Sequence, residues 1–381
     1  MSRLNVLFVI PQMGMGGSER LVHNLARRLD KTRFNTAIAW LHGEDALQEF
    51  RDLRVPLHHL PKIRRFDFST MRQLAKTVER ERIDIVNAQH FMPAVYSYYA
   101  CNLAAKKALV FTAHSRWEVE GISLKWKIAG GFLLRRISAS VGVASDVSGA
   151  VQSVFKTTAA RTLTIENGVD IDLFSGEKDI RGLKSSLGLS EGDILIGIVA
   201  NLKKVKNHQF LFKAFSKIAE ECNNAKLLVI GQGFSAEPDN TEHDLRLFVK
   251  NSRLAERVLF LGYRTDIPRL LQAMDVFCLP SLREGLPIAL IEAMAAGLPV
   301  VGTNVEGIRD LITPNVDGVL VDLGDEMSLK GALDRLLRDP QLRQRLGTAG
   351  REKAMKRYSL QRCVGDYERL FLSLAGVGQA R

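Results

Sequence analysis

The sequence predicts an α/β protein made of two doubly wound halves, each with a parallel sheet covered by helices on both faces. Short apolar runs alternate with amphipathic stretches of helical period, which is the pattern of repeated βαβ units. This alternation occurs twice, and a polar, weakly periodic stretch at residues 170–184 lies between the two series as a candidate linker. A chain of 381 residues is long enough to bury a core in each half. We therefore expect two domains with a cleft between them.

The strands are predicted from short apolar runs that are followed by turn residues. The first series comprises residues 4–10, 36–40, 83–86, 108–112 and 140–143, and the second comprises residues 194–200, 225–230, 258–261, 276–279 and 299–302. Ser18 is expected to cap the helix after the first strand, because Leu21, Val22 and Leu25 then share one helical face. Residues 360–374 have helical periodicity and no strand partner, which predicts a C-terminal helix.

Composition excludes several classes of protein. Hydrophobic residues make up 46% of the chain and charged residues 25%, which excludes disordered, collagenous and disulfide-scaffold proteins. The four cysteines lie far apart without a C-x-x-C pair, so they indicate reduced thiols and not a zinc site. No apolar run reaches the roughly 18 residues of a membrane span, and residues 4–10 are too short for a signal peptide. We expect a cytoplasmic protein.

The net charge of +11 is concentrated in the first half of the chain. Residues 1–172 hold 24 Lys and Arg against 16 Asp and Glu. Such an excess suits an anionic partner, which leaves a membrane surface, a nucleic acid or a phosphorylated substrate as candidates beside a purely solubilising charge. No RNP, helix-turn-helix or zinc pattern supports a nucleic acid, so none is expected as a partner.

A glycine-rich loop lies between the first strand and the first helix. Gly16 and Gly17 allow close approach of a ligand to the backbone, and the following helix N-terminus offers free N–H groups to an anion. The loop lacks the dinucleotide-binding fingerprint G-x-G-x-x-G, because Glu19 stands where its last glycine is needed. A tight turn without a ligand is the alternative.

A basic loop opens the second half. Asn201, Lys203, Lys204 and Lys206 lie between a predicted strand and the N-terminus of a helix. Repulsion between lysines and the helix dipole both oppose this placement, and a bound diphosphate would reverse both effects. An ordinary solvated basic loop is the alternative.

A third loop precedes a strongly apolar helix. Glu284 lies in the loop, Gly285 and Leu286 present backbone N–H groups ahead of the helix, and Glu292 lies inside it. A carboxylate in so apolar a helix needs a partner, and the hydroxyls of a ligand are good ones. A structural ion pair is the alternative. His114, which follows the strand at residues 108–112, is a further candidate beside a purely structural histidine.

Taken together, these loops resemble those of the retaining, nucleotide-sugar-dependent glycosyltransferases of family 4, which have the GT-B fold. The most specific element is E-x7-E, here Glu284 to Glu292, within the similar stretch at residues 260–312. The run at residues 165–170 resembles the N-G-V-D segment at the crossing between the domains. The resemblance implies two Rossmann-like domains facing across a cleft. Residues 1–172, joined by a C-terminal helix at 359–381, would bind the acceptor, and residues 173–358 would bind the donor.

The resemblance also implies roles for individual residues. Lys206 matches the lysine that holds the donor diphosphate. The family's arginine commonly stands five residues earlier, where this chain has Asn201. A variant of the motif has arginine at the place of Lys203, so we assign the second cation to Lys203 and keep Asn201 as a candidate donor contact in the place of the arginine. By the same resemblance, Gly16 and Gly17 would lie beneath the diphosphate, and Gly285 and Leu286 would donate N–H groups to phosphate. Glu292 would bind the ribose, and Arg264 with residues 262–264 would lie at the base. Glu284 and His114 would face the transferred sugar.

The function implied is that of a retaining, metal-independent hexosyltransferase in cell-surface polysaccharide or lipopolysaccharide biosynthesis. His114, Lys206 and Glu284 would be catalytic, no cofactor or metal is expected, and the substrate would be a nucleotide-diphosphate sugar, with a UDP-sugar as first candidate. The acceptor would be a glycan or a lipid-linked saccharide. The alternatives are a sugar-nucleotide epimerase on the same fold and a non-catalytic protein that binds an anionic ligand.

Two stretches of the first half suit a membrane surface. Residues 62–66 and 123–136 interleave basic and bulky apolar side chains, as peripheral segments do at an anionic bilayer. This pattern predicts peripheral association with the inner face of the cytoplasmic membrane. The alternative is an ordinary helix with one core face.

Overall fold

The computed structural model describes residues 3–14, 16–44, 47–62, 66–104, 107–175, 179–233, 239–252 and 254–378. The chain forms two compact units, each with its own parallel sheet. The first unit comprises residues 1–168 and 360–381, and the second unit comprises residues 169–359. The predicted α/β class is confirmed.

The sheet of the first unit has seven strands in the order β3-β2-β1-β4-β5-β6-β7, and every pair is parallel. The strands are β1 Leu4–Gln12, β2 Phe34–His42, β3 Leu57–His59, β4 Ile85–Gln89, β5 Ala108–Ala113, β6 Ala139–Gly142 and β7 Thr162–Thr164. The helices that connect them are α1 Gly17–Arg28, α2 Leu47–Arg51, α3 Phe68–Arg80, α4 Phe91–Leu103, α5 Arg116–Glu120, α6 Leu124–Leu134 and α7 Ser145–Phe155, with a 3-10 turn at Ala159–Arg161.

The sheet of the second unit has six parallel strands in the order β10-β9-β8-β11-β12-β13. The strands are β8 Ile194–Val199, β9 Ala225–Ile230, β10 Val258–Gly262, β11 Val276–Leu279, β12 Val300–Thr303 and β13 Val319–Val321. The helices are α8 Ile180–Ser186, α9 His208–Glu221, α10 Glu242–Asn251, α11 Ile267–Ala273, α12 Ile288–Ala295, α13 Ile308–Leu311, α14 Glu326–Arg338 and α15 Pro340–Arg357, with 3-10 turns at Ile171–Phe174 and Lys204–Lys206.

The last helix, α16 Leu360–Gly378, returns to the first unit. Its aromatic side chains enter the core there, where the rings of Phe371 and Phe8 lie 6.4 Å apart and Tyr367 is fully buried. Burial of these large side chains removes apolar surface from water and fixes the helix on the sheet. This return was predicted from the family resemblance.

Three strands and two local features differ from the sequence-based expectations. The strands β3, β7 and β13 were missed; each has three residues and lies at the edge of its sheet, and β3 and β7 contain only one apolar residue each. Ser18 does not cap α1, because Gly16 is the N-cap and Ser18 lies in the first turn. The described part of the candidate linker at residues 170–184 belongs to the second unit and contains a 3-10 turn and the start of α8, with Phe174 buried.

The strand order of each sheet reverses at one point. In the first unit the reversal lies between β1 and β4, and in the second unit it lies between β8 and β11. Helices leave neighbouring strands in opposite directions at such a switch point, so the loops after the two strands diverge and leave room for a ligand. We therefore expect ligand-binding residues in the loops that follow β1, β4, β8 and β11.

Candidate active site

In the second unit the loops after β8 and β11 are joined by an ion pair. Lys206 Nζ donates to Glu284 Oε1 over 2.6 Å, and Ser281 Oγ donates to the same oxygen over 2.6 Å. The Glu284 side chain is 9% exposed and the Lys206 side chain is 25% exposed. Partial burial of both partners strengthens their attraction relative to a pair in open solvent.

The backbones of these two loops are also bonded to each other. The N–H of Leu282 donates to the carbonyl of Val205 over 2.8 Å, and the Asn207 side chain donates to the carbonyl of Pro280 over 3.2 Å. Asn207 has a φ of 54°, a left-handed conformation that asparagine tolerates better than most residues, and it forms the N-cap of α9. The basic loop is therefore held in a defined shape against the Glu284 loop.

Two glycines allow neighbouring loops to approach this pair. Gly307 has a φ of 78°, and a Cβ there would collide with the carbonyl oxygens of Gly285 and Glu284. A Cβ at Gly231, which has a φ of 132°, would collide in the same way with the carbonyl oxygen of Ala200 at the start of the basic loop. No other residue type fits such a close backbone approach without strain.

The other predicted donor residues of the basic loop lie around the ion pair. Lys203 donates its N–H to the carbonyl of Asn201 over 2.8 Å and forms a β-bridge with Asn240. Lys204 is exposed, and its N–H donates to the carbonyl of Asp239. Asn201 and Lys203 are partly buried, so both belong to the folded loop and not to a solvated flap.

Gly285 and Leu286 are buried and lead directly to Pro287, the N-cap of α12. Their N–H groups therefore lie at the positive end of that helix dipole. Glu292 is buried one turn into α12, as expected for a carboxylate in an apolar helix.

Arg264 takes part in a local pair that the sequence analysis did not include. Its Nε and Nη2 donate to the two carboxylate oxygens of Asp266 over 2.7 and 2.6 Å. These hydrogen bonds raise the pKa of Arg264 and lower that of Asp266. The pair follows β10, so the residue predicted to lie near a nucleotide base is oriented by its own strand-end loop.

His208, the first residue of α9, is a further buried histidine that the sequence analysis did not identify. Burial and the nearby charge of Lys206 lower its pKa to about 4. It is therefore neutral in the physiological range and adds no charge to the Lys206 loop.

In the first unit, the glycine-rich loop leads into a buried polar cluster. Ser18 and Glu19 follow Gly16 and Gly17 in the first turn of α1, and both are buried. Ser18 Oγ donates to Glu19 Oε2 over 2.8 Å and lies 3.0 Å from Nε2 of His90. Nδ1 of His90 lies 2.8 Å from Oε1 of Glu118 on α5.

His114 lies beside this cluster. Its ring centroid is 4.7 Å from that of His90, and its Nε2 lies 2.8 Å from Oε1 of Gln89. The side-chain amide of Gln89 donates to Asn87, which in turn donates to Thr112 over 3.1 Å. Gln89, Asn87 and Thr112 are fully buried, so the orientation of His114 is fixed from inside the sheet.

The two histidines differ in protonation. Burial opposes a charge on His90, but the carboxylates of Glu118 and Glu19 outweigh it and raise the pKa of His90. Burial and the positive charge of His90 lower the pKa of His114 well below its usual value. His114 is therefore a neutral imidazole.

The structure thus brings Lys206 and Glu284 into direct contact, and it places His114 in a buried network of the first unit. His90 and Glu118 were missed by the sequence analysis. The signal for His90 was the same as for His114, since each follows a strand directly, β4 in one case and β5 in the other. Their proximity becomes visible only once β4 and β5 are known to be neighbours.

Within the residues that the structure describes, no group of three or more His, Cys, Asp and Glu side chains is arranged to hold a metal ion. None of the helices in the same part of the chain combines the length and apolar character needed to cross a bilayer. The four cysteines are free thiols, and Cys101, Cys278 and Cys363 are buried.

Comparison with known proteins gives consistent results over nearly the whole chain. The family model for glycosyl transferases group 1 matches residues 179–353, and the model for glycosyltransferase family 4 matches residues 15–173. The N-acetyl-α-D-glucosaminyl L-malate synthase of Bacillus anthracis is 27% identical over 80% of this chain and 79% of its own length. The UDP-Gal:α-D-GlcNAc-diphosphoundecaprenol α-1,3-galactosyltransferase of Escherichia coli is 28% identical over 72% and 71%.

The crystal structure of HepE from Anabaena in complex with UDP-glucose superposes with a TM-score of 0.86 at 21% sequence identity, covering 97% of this chain and 100% of that one. At this level of identity the similarity shows the fold. With two family models that together span most of the sequence, the chain belongs to glycosyltransferase family 4 and has the GT-B fold.

Proposed function

We propose that this protein transfers a hexose from a nucleoside-diphosphate sugar, with a UDP-sugar as first candidate, to a saccharide acceptor in cell-surface polysaccharide biosynthesis. The observation that carries the proposal is the Lys206–Glu284 pair at the switch point of the second unit, beside the N-termini of α9 and α12. A cation and two helix N-termini in one place suit a diphosphate.

The leaving diphosphate gains negative charge as the bond to the anomeric carbon breaks. Lys206 and Lys203 would stabilise that charge, together with the N–H groups of Gly285 and Leu286 at the start of α12. Lysine ammonium groups and helix N–H dipoles can balance that charge by themselves, so the reaction we propose does not need a metal ion. Glu284 would hold Lys206 in place and face the positive charge that develops on the sugar ring.

The remaining contacts of the donor follow from the same site. Glu292 would accept hydrogen bonds from the ribose hydroxyls, and the end of β10 with Gly262 and Arg264 would lie near the base. Uridine is favoured because the HepE structures are described as complexes with UDP, glucose and UDP-glucose, and because the relative from Escherichia coli is named for a UDP-Gal donor.

We propose that the reaction retains the configuration of the sugar. The bond between the anomeric carbon and the diphosphate oxygen breaks, and the acceptor oxygen forms its bond on the same face. The acceptor proton passes to the departing phosphate oxygen, so no separate base is needed. His114, as a neutral imidazole, would hydrogen-bond to the transferred sugar.

A lipid-linked saccharide is the acceptor that we favour, because one relative is named for a diphosphoundecaprenol acceptor. The relative from Bacillus anthracis is instead named for L-malate, a small acid. A surface of the first unit gives the lipid-linked acceptor additional support, since it is suited to bind at a membrane interface.

This surface, which we call the apolar face, consists of large side chains that are 45% to 72% exposed: Phe68, Tyr99, Leu124, Ile128 and Phe132. Phe66 connects its parts, with ring centroids 5.2 Å from Phe68, 6.4 Å from Tyr99 and 6.0 Å from Trp126 of α6.

Basic side chains border the apolar face on α6 and directly after it. Lys125, Arg135 and Arg136 are exposed, and the guanidinium of Arg136 lies 3.3 Å above the ring of Phe132. Apolar side chains bordered by cations match a bilayer that contains anionic lipid, where each Lys or Arg contributes about 1 kcal/mol. Residues 63–65 of the other predicted stretch lie outside the described residues. We propose peripheral binding to the inner face of the cytoplasmic membrane.

Flotation with vesicles tests this binding. Wild-type protein should float with vesicles that contain anionic lipid, and the triple variant L124S/I128S/F132S should float at least about tenfold less. The triple variant L323S/M327S/M355S removes exposed apolar side chains from the second unit and serves as the matched control. Equal recovery with anionic and zwitterionic vesicles would exclude the electrostatic part of the proposal.

The catalytic proposal is tested in two steps. A thermal-shift panel of UDP, GDP, ADP and their sugar conjugates should show stabilisation by a uridine diphosphate compound. Transfer is then measured with the stabilising sugar nucleotide and GlcNAc-diphosphoundecaprenol. An epimerase would convert the sugar nucleotide without an acceptor, and a binding protein would leave it unchanged; either result would overturn the proposal.

A further inference from the structure

Three segments of the first unit meet in one continuous chain of hydrogen bonds. Glu118 of α5 bonds to Nδ1 of His90 over 2.8 Å, and Nε2 of His90 bonds to Ser18 Oγ over 3.0 Å. Ser18 then donates to Glu19 over 2.8 Å. This chain links α5, the residue after β4 and the first turn of α1.

The backbone of His90 is held in an unfavourable conformation. Its φ is 69° and its ψ is 164°, a region that glycine adopts easily and residues with a Cβ rarely adopt. Hydrogen bonds fix it there, because its N–H donates to the carbonyl of Thr112 and its carbonyl accepts from Ala94. Strain that the surrounding structure maintains is typical of residues whose position matters for function.

The bond directions in the chain follow from protonation. Glu118 and Glu19 raise the pKa of His90 against the effect of burial, and a protonated His90 donates from both ring nitrogens. Its Nε2 therefore donates to Ser18, which in turn donates to Glu19. A protonated His90 cannot accept the proton of Ser18, so in this state Ser18 is not activated as in a Ser-His-Glu triad despite the similar geometry.

The charge on His90 acts on His114, whose ring centroid lies 4.7 Å away. The titratable groups that face His90 are Glu118, Glu19 and His114. The two carboxylates favour a positive charge on His90 over one on His114. His114 is then neutral, with its Nε2 proton donated to Gln89, so its other ring nitrogen is a hydrogen-bond acceptor.

We propose that His90, held between Glu118 and Ser18, is a positioning residue whose charge adds to burial in disfavouring protonation of His114, and that it ties the start of α1 to the His114 network. The inference rests on the proposed function only in so far as His114 contacts the sugar; the coupling between the two histidines does not depend on it.

The test is an NMR titration of the full chain with 13C-labelled histidine. The chain has eight histidines, so His114 is assigned with a His114→Gln variant. In His90→Gln the positive neighbour is lost, protonation of His114 becomes easier, and its titration midpoint should rise by at least about half a pH unit. Glu118→Gln should shift it in the same direction, with an undisturbed backbone at position 90.

His58→Gln is the matched control. His58 also lies next to a glutamate, with its Nε2 3.5 Å from Glu81, but it belongs to β3 at the edge of the sheet. It should leave the His114 midpoint unchanged. An unchanged midpoint in both His90→Gln and Glu118→Gln would overturn the coupling.

Activity gives a second, separate measurement. If His114 must be neutral for transfer, the acid limb of the kcat/KM profile should move to higher pH in His90→Gln and Glu118→Gln by the amount seen in the titration. A shifted His114 midpoint with an unchanged pH profile of kcat/KM would support the coupling and remove His114 from the proposed reaction. Failure of the coupling and failure of the proposed role of His114 can therefore be distinguished.

Discussion

Replacement of Lys206 by methionine removes the cation of the second-unit site and leaves the length of the side chain nearly unchanged. At the observed 2.6 Å, direct attraction to Glu284 is about 6 kcal/mol for an effective dielectric constant of about 20. Because the Lys206 side chain is 25% exposed, solvent screening and desolvation offset much of that attraction. A net coupling of about 1–3 kcal/mol remains.

The effect on turnover should be larger than the effect on the fold. Loss of one group that stabilises developing negative charge lowers turnover by about 10²–10³. We expect this reduction in the rate of sugar transfer for Lys206→Met, with correct folding confirmed by circular dichroism.

The matched control is Lys204→Met, which removes an exposed lysine from the same loop and should retain turnover within about threefold. A double-mutant cycle with Glu284→Gln measures the coupling in unfolding free energy. Near-wild-type turnover of Lys206→Met, or turnover reduced equally by Lys204→Met, would refute a specific role of Lys206.

Three other predictions concern the same site. Glu292→Ala should weaken UDP binding at least tenfold in calorimetry while kcat falls less; an unchanged Kd would exclude a ribose contact. Incubation with EDTA should leave transfer intact, and activity lost and then restored by Mn²⁺ would exclude a metal-free reaction. Gly307→Ala should weaken UDP binding, because its Cβ collides with Gly285 and Glu284. Gly324→Ala is the control for backbone strain, because Gly324 has a similar φ of 83° but open space where the Cβ would lie.

The sequence predicted those parts of the fold and the site that depend on local signals. The strands at residues 225–230 and 276–279 were predicted with their observed bounds, because each is an apolar run that ends at turn residues. The basic loop and the Glu284 loop were recognised because each lies between such a strand and a helix. The edge strands β3 and β7 contain one apolar residue each, and β13 is an apolar run of only three residues, so periodicity did not reveal them.

Contacts between distant segments could not be predicted in the same way. Lys206 and Glu284 are 78 residues apart, and they meet only because β8 and β11 are neighbours at the switch point. His90 and Glu118 form their pair through the order of β4 and β5 and the short helix α5. The strained φ of His90 could not be predicted from the sequence, since only the surrounding structure holds a histidine in that conformation.

Both clusters contain features that folding alone does not require. In the first unit, His90 has an unfavourable backbone conformation. In the second unit, the Lys206–Glu284 pair is partly buried, and a neutral pair of similar volume in a buried position is often as stable as an ion pair. The double variant K206M/E284Q should therefore unfold at nearly the wild-type temperature, although each single variant leaves one unpaired group. If transfer is lost in this double variant while stability is kept, the pair is retained for the reaction and not for the fold.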